Sequence, residues 1–579
     1  MLNQALEIFK KEYDEKGDSL ILDSYIPADG TYVIVKPKGG SFEVDEIIDI
    51  KLNKEIKDID RTNKYIPFIC FADYNSNILT NNKPIDNKMI SSNNYLSFFI
   101  KKDNIANKKL SNEIIDRYYD SLEDLHKKYS EKTAEIYRTV EKEIGLIDKE
   151  KLNKIRAWIK ENIFNFIYSK SEKNYLKVFF LYSYEEYEKE VKRYLIPKVY
   201  AKNDYNNVIN DTIYGLPNDN MGLNSKKPYL GNNTRKETAP YLISQKEVLL
   251  QKKFFDYLLN QSLVGRNNIY MFDDKILSLE KEVLPNKEFK GMYFRIKKHQ
   301  DKIKTEAEIL DFDIISNYRP ELIKTFEYKN ILEIDYDKLN GVYDTYKTLE
   351  SMQKIINEIL FSKKLVSNYF TATKEIHIND EVLKNNLFTA RTALFNWFYK
   401  GVDKNIWQLL NKVSLSLVKG SIKNGDMTKV ADQFNLRISL MDHFGEEEKM
   451  ADIIFNIKEN LRKKINNKDD KVFVSIEGDR EYYFAVGQLV SFFISKSKAK
   501  KKPLSYINQF INVNKDKVIK YKLELLFKRY NYNIEGFRFN NIYKMILGYQ
   551  PDEKVDEDMI IAGYLHSNLL YEKDEEVKK

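Results

Sequence analysis

The chain has 579 residues, 42% of them hydrophobic and 31% charged, which is enough apolar side chain for two to four domains of roughly 150 residues each and too much charge for an integral membrane protein. With a single cysteine, Cys70, no disulfide framework and no cysteine-built zinc site can form within it. Lysine and arginine (95) exceed aspartate and glutamate (87) for a net charge of +8, a mild imbalance whose distribution says more than its size.

The opening residues, MLNQALEIFKKEYDEKG, mix carboxylates with lysines and have no apolar stretch behind a basic head, so no secretory signal is expected and a reducing cytoplasm is the expected home. Helices are predicted over Ala5 to Lys16, about Asn112 to Glu143 and about Ser183 to Tyr194. Strands are predicted at YVIVKP (Tyr32 to Pro37), YIPFICF (Tyr65 to Phe71) and VFFLYS (Val178 to Ser183). Residues 1–345 therefore read as a mixed region. Beyond about Tyr346 the pattern is almost wholly helical, with breakers at Gly401, Gly420, Gly425, Gly445, Gly478, Pro503, Gly536 and Gly548. The expected class is α+β: a mixed N-terminal domain, 1–345, followed by a helical C-terminal bundle, 346–579, without internal repeats.

Within the helical part, the apolar run from Tyr482 to Ile494 is too short to span a bilayer and reads as a core helix. Its packing stripe is Ala485, Leu489, Phe492 and Phe493. Over Asp516 to Tyr530, Ile519, Leu523, Leu526, Phe527 and Tyr530 follow helical spacing and predict a buried stripe, with Lys520, Lys522, Lys528 and Arg529 facing out. From Lys496 to Lys544 there are 13 basic residues against 3 acidic ones, whereas from Asp552 onward 9 acidic residues face 4 basic ones. Such a segregated block focuses positive field on one surface.

Catalytic signatures are sparse. The five histidines, His126, His299, His377, His443 and His566, stand singly and form no metal-binding pair. No phosphate-cradling glycine loop, dinucleotide fingerprint or nucleophile elbow occurs. A carboxylate-dependent nucleic-acid-processing enzyme is the alternative reading: Asp311 and Asp313 precede Glu321 and Lys324, and Glu333, Asp335 and Asp337 precede Lys338. Neither set has the usual two-metal spacing. No catalytic residue, metal or cofactor is assigned.

Two stretches carry binding chemistry. In GLNSKKPYL and GNNTRKETAPY, from Gly222 to Tyr241, Lys226, Lys227, Arg235 and Lys236 supply charge. Asn224, Asn232, Asn233 and Thr234 supply hydrogen-bonding groups, and Tyr229 offers a ring for stacking. Pro228, Gly231 and Pro240 make an exposed loop the expected form. The second stretch, REYYFAVGQLVSFFISKSKAKKK from Arg480 to Lys502, places Lys496, Lys498, Lys500, Lys501 and Lys502 at a helix end. The helix dipole favours cations there, and a cluster this dense would also suit a phosphate backbone.

At these stretches the sequence resembles the large subunit of the type I-B Cascade complex, the RNA-guided DNA-surveillance assembly of CRISPR immunity. The resemblance rests on GLNSKKPYL with TRKETAPYL, on YFAVGQLVSFFISKSKAKKK, and on ILGYQPDEK with AGYLHSNLLYEK. It covers mainly residues 215–250 and 480–572; the first 200 residues match only in size and general character. It implies a non-catalytic subunit that binds the 5′ handle of a CRISPR guide RNA and recognises the protospacer-adjacent motif in double-stranded target DNA. The same subunit would stabilise the R-loop, recruit a separate helicase-nuclease and contact the backbone, small and guide-processing subunits, with no membrane partner. By position, Asn224, Lys226, Lys227, Asn232, Asn233, Thr234, Arg235 and Lys236 would meet the guide handle or motif-proximal DNA, and Lys496 with Lys498 to Lys502 would accompany the displaced strand. The last part, about 441–579, resembles the Cascade small subunit. Met427, Met441 and Met450 are placed to serve as internal starts for a separate copy of it.

Overall fold

A computed structural model describes residues 2–78, 89–124, 130–166, 168, 172–200, 206–217, 242–298, 307–445, 449–469, 474–497, 504–534, 536–552 and 554–572. The chain divides into two compact units, one made of Met1–Lys281 with Lys290–Ser316, the other of Glu282–Phe289 with Asn317–Lys579. The class is α+β: sheets lie in the first unit, and the second is mostly helical.

The first unit opens with helix α1 (Leu2–Lys16) and is built on a four-stranded sheet of β1 (Gly30–Lys38), β2 (Ser41–Ile50), β3 (Ser97–Lys101) and β4 (Tyr175–Phe180). The strand order is β2-β1-β4-β3, with β1 parallel to β4 and the other pairs antiparallel. Gly39 and Gly40, at φ 55° and 84°, supply the two left-handed residues of the tight β1–β2 turn. At the opposite end, a Cβ on Gly30 would strike the carbonyl of Tyr175, so the parallel neighbour is seated against bare backbone. The segment Tyr65 to Phe71, expected as a strand, is helical: α2 spans Ile66–Tyr74 with Pro67 in its first turn. Proline fits that position, and a helix buried from Phe68 to Asp73 leaves no polar face for a periodicity to betray. The long helix expected over Asn112 to Glu143 is two helices, Asn112–Glu123 and Glu131–Ile144.

A charge pair sits at the centre of this sheet. Lys177 of β4 is 5% exposed and Asp73 of α2 is 1% exposed; they form an ion pair, and the Tyr25 hydroxyl donates to the second carboxylate oxygen at 2.8 Å. The ammonium also lies 4.6 Å from the Phe99 ring centre and 5.4 Å from that of Tyr32. Two buried charges satisfied in this way fix strand against helix more than they add net stability. Lys177→Met is therefore expected to leave Asp73 buried and unpaired, to cost about 3–5 kcal/mol, and to lower hydrogen-exchange protection of β1 and β4 first.

A second sheet of the first unit, order β8-β7-β5-β6, comprises β5 (Arg266–Phe272), β6 (Lys275–Glu280), β7 (Phe289–Lys298) and β8 (Ala307–Tyr318). It shares a core with α1 and with α3 (Gln245–Leu263). Ser244 and Glu247 form a reciprocal cap at the start of α3.

In the second unit, the hairpin of β9 (Glu321–Glu327) and β10 (Thr345–Thr348) leads into α4 (Leu349–Ile355). The helices α5 (Glu381–Lys400), α6 (Ile406–Asn424), α7 (Met427–Phe444), α8 (Met450–Ile465) and α9 (Asp479–Ser495) follow. Four more complete it: α10 (Asn508–Ile511), α11 (Asp516–Tyr530), α12 (Phe537–Gly548) and α13 (Glu557–Leu565). Gly401 and Gly425 close α5 and α6 in left-handed conformation, as the breaker pattern predicts. Gly420 is different: it lies inside α6, where a Cβ would come within 2.8 Å of Val382 Cγ1, so it serves close packing and not termination. The expected one-sided stripe of α9 is also wider than predicted, because every residue from Glu481 to Val490 is buried.

That burial has a specific cause. α9 and α13 cross backbone to backbone at Gly487 and Gly563: a Cβ on the first would meet the carbonyl of Ile560, and a Cβ on the second the carbonyl of Phe484. Beside the crossing, the buried Gln488 amide donates to Gly563 O at 2.6 Å, and its oxygen accepts from Leu569 N at 2.8 Å. The α7 helix is buried on all sides from Val430 to Leu440, and its polar side chains are anchors. Arg437 binds both carboxylate oxygens of Asp558 at 2.7 Å. Asp432 accepts from Asn340 N, Gly341 N and the Tyr343 hydroxyl, and Gln433 donates to the Ile359 carbonyl of the π-helical turn Ile356–Leu360 at 3.2 Å. Gly487→Ala is expected to destabilise this unit by about 3 kcal/mol through overpacking. Gly548→Ala, with nothing within 4 Å of its Cβ position, is expected to stay within about 1 kcal/mol of wild type, as thermal unfolding of the two variants checks.

Candidate nucleic-acid interface

The residues singled out in the central loop, Asn224, Lys226, Lys227, Tyr229, Asn232, Asn233, Thr234, Arg235 and Lys236, lie outside the described residues, as do Lys498, Lys500, Lys501 and Lys502. The strands that flank the central loop are described, and they pair: Tyr214 opposes Ser244 and Gly215 opposes Ile243. Both ends of that segment are thus tied to one small sheet.

Most of the described charges in the basic C-terminal block are engaged within the chain. Lys496 lies 4.7 Å from the Phe492 ring centre and 5.4 Å from that of Tyr571. Its ammonium therefore clamps the chain end onto α9. Lys520 donates to the Tyr549 carbonyl, Lys522 to the Gln509 carbonyl at 2.5 Å, and Arg538 to the Glu572 carbonyl. Lys528 pairs with Glu524 at 2.7 Å. The buried stripe of α11 is as expected at Ile519, Leu523, Leu526 and Tyr530, but its outer face also carries Val518, Tyr521 and Leu525. The outward charge is thus smaller than composition implies; among the described residues Lys515, Lys517, Arg529 and Lys544 are exposed and unpaired.

A concave basic site forms elsewhere in the same unit. Lys412, Lys419 and Lys423 share one face of α6 and line a groove of about 690 Å³ with Val382, Leu415, Ser416, Gly420, Asn508 and Asn512. Spacings of seven and four residues keep all three lysines on one side of the helix over about 16 Å. The bare Gly420 lets α5 approach, and the short helix α10 brings the two asparagines to the opposite wall. Lys412 and Lys423 are exposed and have no carboxylate partner among the described residues. Lys419 is paired with Glu557 at the start of α13. Sequence reasoning passed over these lysines. Their periodic spacing was visible, but a lysine face on an amphipathic helix is ordinarily solvated, and only the packing of α10 makes it a groove. Another concavity among the described residues, about 380 Å³ in the first unit, is lined by Glu7, Asp273 and Asp274 against a single lysine, Lys290, the wrong sign for a polyanion.

Several residues of the carboxylate sets are engaged within the second unit. Glu333 is tied to the buried Lys458, Asp335 accepts from Asp337 N at 3.4 Å, and Lys324 donates to the carbonyls of Asp442 and His443. Among the described residues no group of three or more His, Cys, Asp or Glu side chains is disposed to hold a metal ion. His126 and His299 lie outside the described residues, and His377 is exposed. His443 is half-buried and His566 buried, and burial lowers the pKa of both. No described helix is long and apolar enough to cross a membrane. The chain matches no family model, no curated protein and no solved structure.

His566 gives this unit a pH dependence. Its ring nitrogens face the carbonyls of Ala562 at 2.9 Å and Ile331 at 3.1 Å, yet burial dominates and depresses its pKa from 6.5 to about 4. The unfolded chain then binds the proton more readily, so this contribution to stability is intact above pH 6.5 and is lost as pH falls towards 4. Its full size is about 3 kcal/mol. Urea midpoints should drop more steeply between those values for the wild type than for His566→Asn.

Proposed function

We propose that this chain is the non-catalytic large subunit of an RNA-guided DNA-surveillance complex of the type I-B Cascade kind. In this reading it holds the guide-RNA 5′ handle, recognises the protospacer-adjacent motif in duplex DNA, stabilises the R-loop and recruits the helicase-nuclease. The observation that carries the nucleic-acid part is the groove on α6, lined by two lysines without a carboxylate partner among the described residues, one paired lysine, Asn508 and Asn512. These are donors of the kind that hold phosphate and sugar without reading sequence. The lysine-rich stretch Lys496 to Lys502 precedes in sequence the residues that form the opposite wall, Asn508 and Asn512.

The surveillance part rests on the resemblance of the motifs. Two of them, YFAVGQLVSFF and AGYLHSNLL, supply the two sides of the Gly487–Gly563 crossing. In this reading the two motifs contribute a helical scaffold, and contacts with nucleic acid would fall to exposed polar residues beside it. The test is binding of guide-matched duplex by the reconstituted guide-RNA complex, with and without this chain, over randomised flanking trinucleotides. Binding that requires the chain and selects particular flanks is expected; binding that is independent of it or indifferent to flank would refute the motif-recognition role.

A further inference from the structure

Glu557 occupies a position that its neighbours fix. Asp556 before it caps α13 by accepting from Met559 N at 3.0 Å, and Asp558 after it is locked to the buried Arg437. The backbone at Glu557 is therefore held in place beside Lys419, with which its carboxylate pairs. The two side chains are each 25% exposed, so the pair is partly solvated and open to another anion from the groove side. Lys419 is the middle lysine of the three, and without Glu557 the groove would present an unbroken row of cations.

We propose that Glu557 is a built-in competitor for this groove, and that the phosphodiester backbone of a single nucleic-acid strand displaces it from Lys419. The inference rests on the nucleic-acid-binding reading given above. A single strand fits better than a duplex because about 690 Å³ is the scale of a small-molecule pocket. Among the described residues no aromatic ring lines the groove, so the contact they offer falls on phosphate and sugar, not on stacked bases. The competitor sets a threshold: isolated or weakly held anions meet a carboxylate, whereas a strand that also engages Lys412 and Lys423 can outbid it by several contacts at once.

The test uses the full chain and a labelled oligothymidylate of about 20 nucleotides, long enough to cross the groove. Glu557→Gln is expected to bind several-fold more tightly than wild type. Lys412→Ala with Lys423→Ala is expected to bind at least about tenfold more weakly, with a shallower salt dependence, by about 0.7 in log–log slope for each lost phosphate contact. Melting by circular dichroism should show both variants folded, since all three side chains are at least partly exposed. Unchanged or weaker binding by Glu557→Gln would overturn the competitor. Unchanged binding by the double lysine variant, or equal affinity for inorganic tripolyphosphate, would overturn the strand track. Either failure would leave flank-selective binding by the guide complex standing, whereas loss of flank selectivity in that separate assay would count against the function itself.

Discussion

The crossing of α9 and α13 at Gly487 and Gly563 is the constraint on which the rest of the helical unit depends. Because neither position has room for a Cβ, the helices meet at backbone distance, and that separation lets the Gln488 side chain satisfy the carbonyl of Gly563 and the amide of Leu569. Placing α13 there sets its first turn. Asp558 then reaches Arg437 of α7, and Glu557 reaches Lys419 of α6. A contact between two glycines thus determines both the central ion pair and the electrostatics of the groove.

The α7 helix converts that placement into a unique arrangement. Polar groups buried as deeply as Asp432, Gln433, Asn435 and Arg437 are costly unless each finds its partner. Here each does, on a different neighbour: the 340–343 loop, the π-helical turn, Asn330 and α13. Their stabilising contribution is modest in net terms, but any shift of a neighbouring element would strand one of them. The Lys177–Asp73 pair does the same for the first unit, holding β4 against α2.

Charge behaves differently at the level of sequence and of structure. The block from Lys496 to Lys544 is the most basic stretch of the chain, yet several of its described cations are tied to carbonyls, rings or carboxylates of the chain itself. The groove draws instead on α6, because two of its lysines have no carboxylate partner among the described residues. What matters for a polyanion is the number of uncommitted cations on a concave surface, and linear charge density does not measure it.

Legible in the sequence were the α+β class, the helical character of the second half, the helix ends at Gly401, Gly425, Gly445 and Gly548, the buried stripe of α11 and the reading of Tyr482 to Ile494 as a core helix. Those follow from local periodicity and from glycine and proline chemistry, which act within a few residues of chain. That the segment expected as a strand from Tyr65 to Phe71 forms the helix Ile66–Tyr74 emerges only from packing, since a wholly apolar run carries no period. The tertiary structure alone gave Gly420 a packing role, since that depends on Val382 of another helix, and it alone turned Lys412, Lys419 and Lys423 into a groove. Each depends on a residue far away in the chain, and such a partner leaves no mark on local spacing.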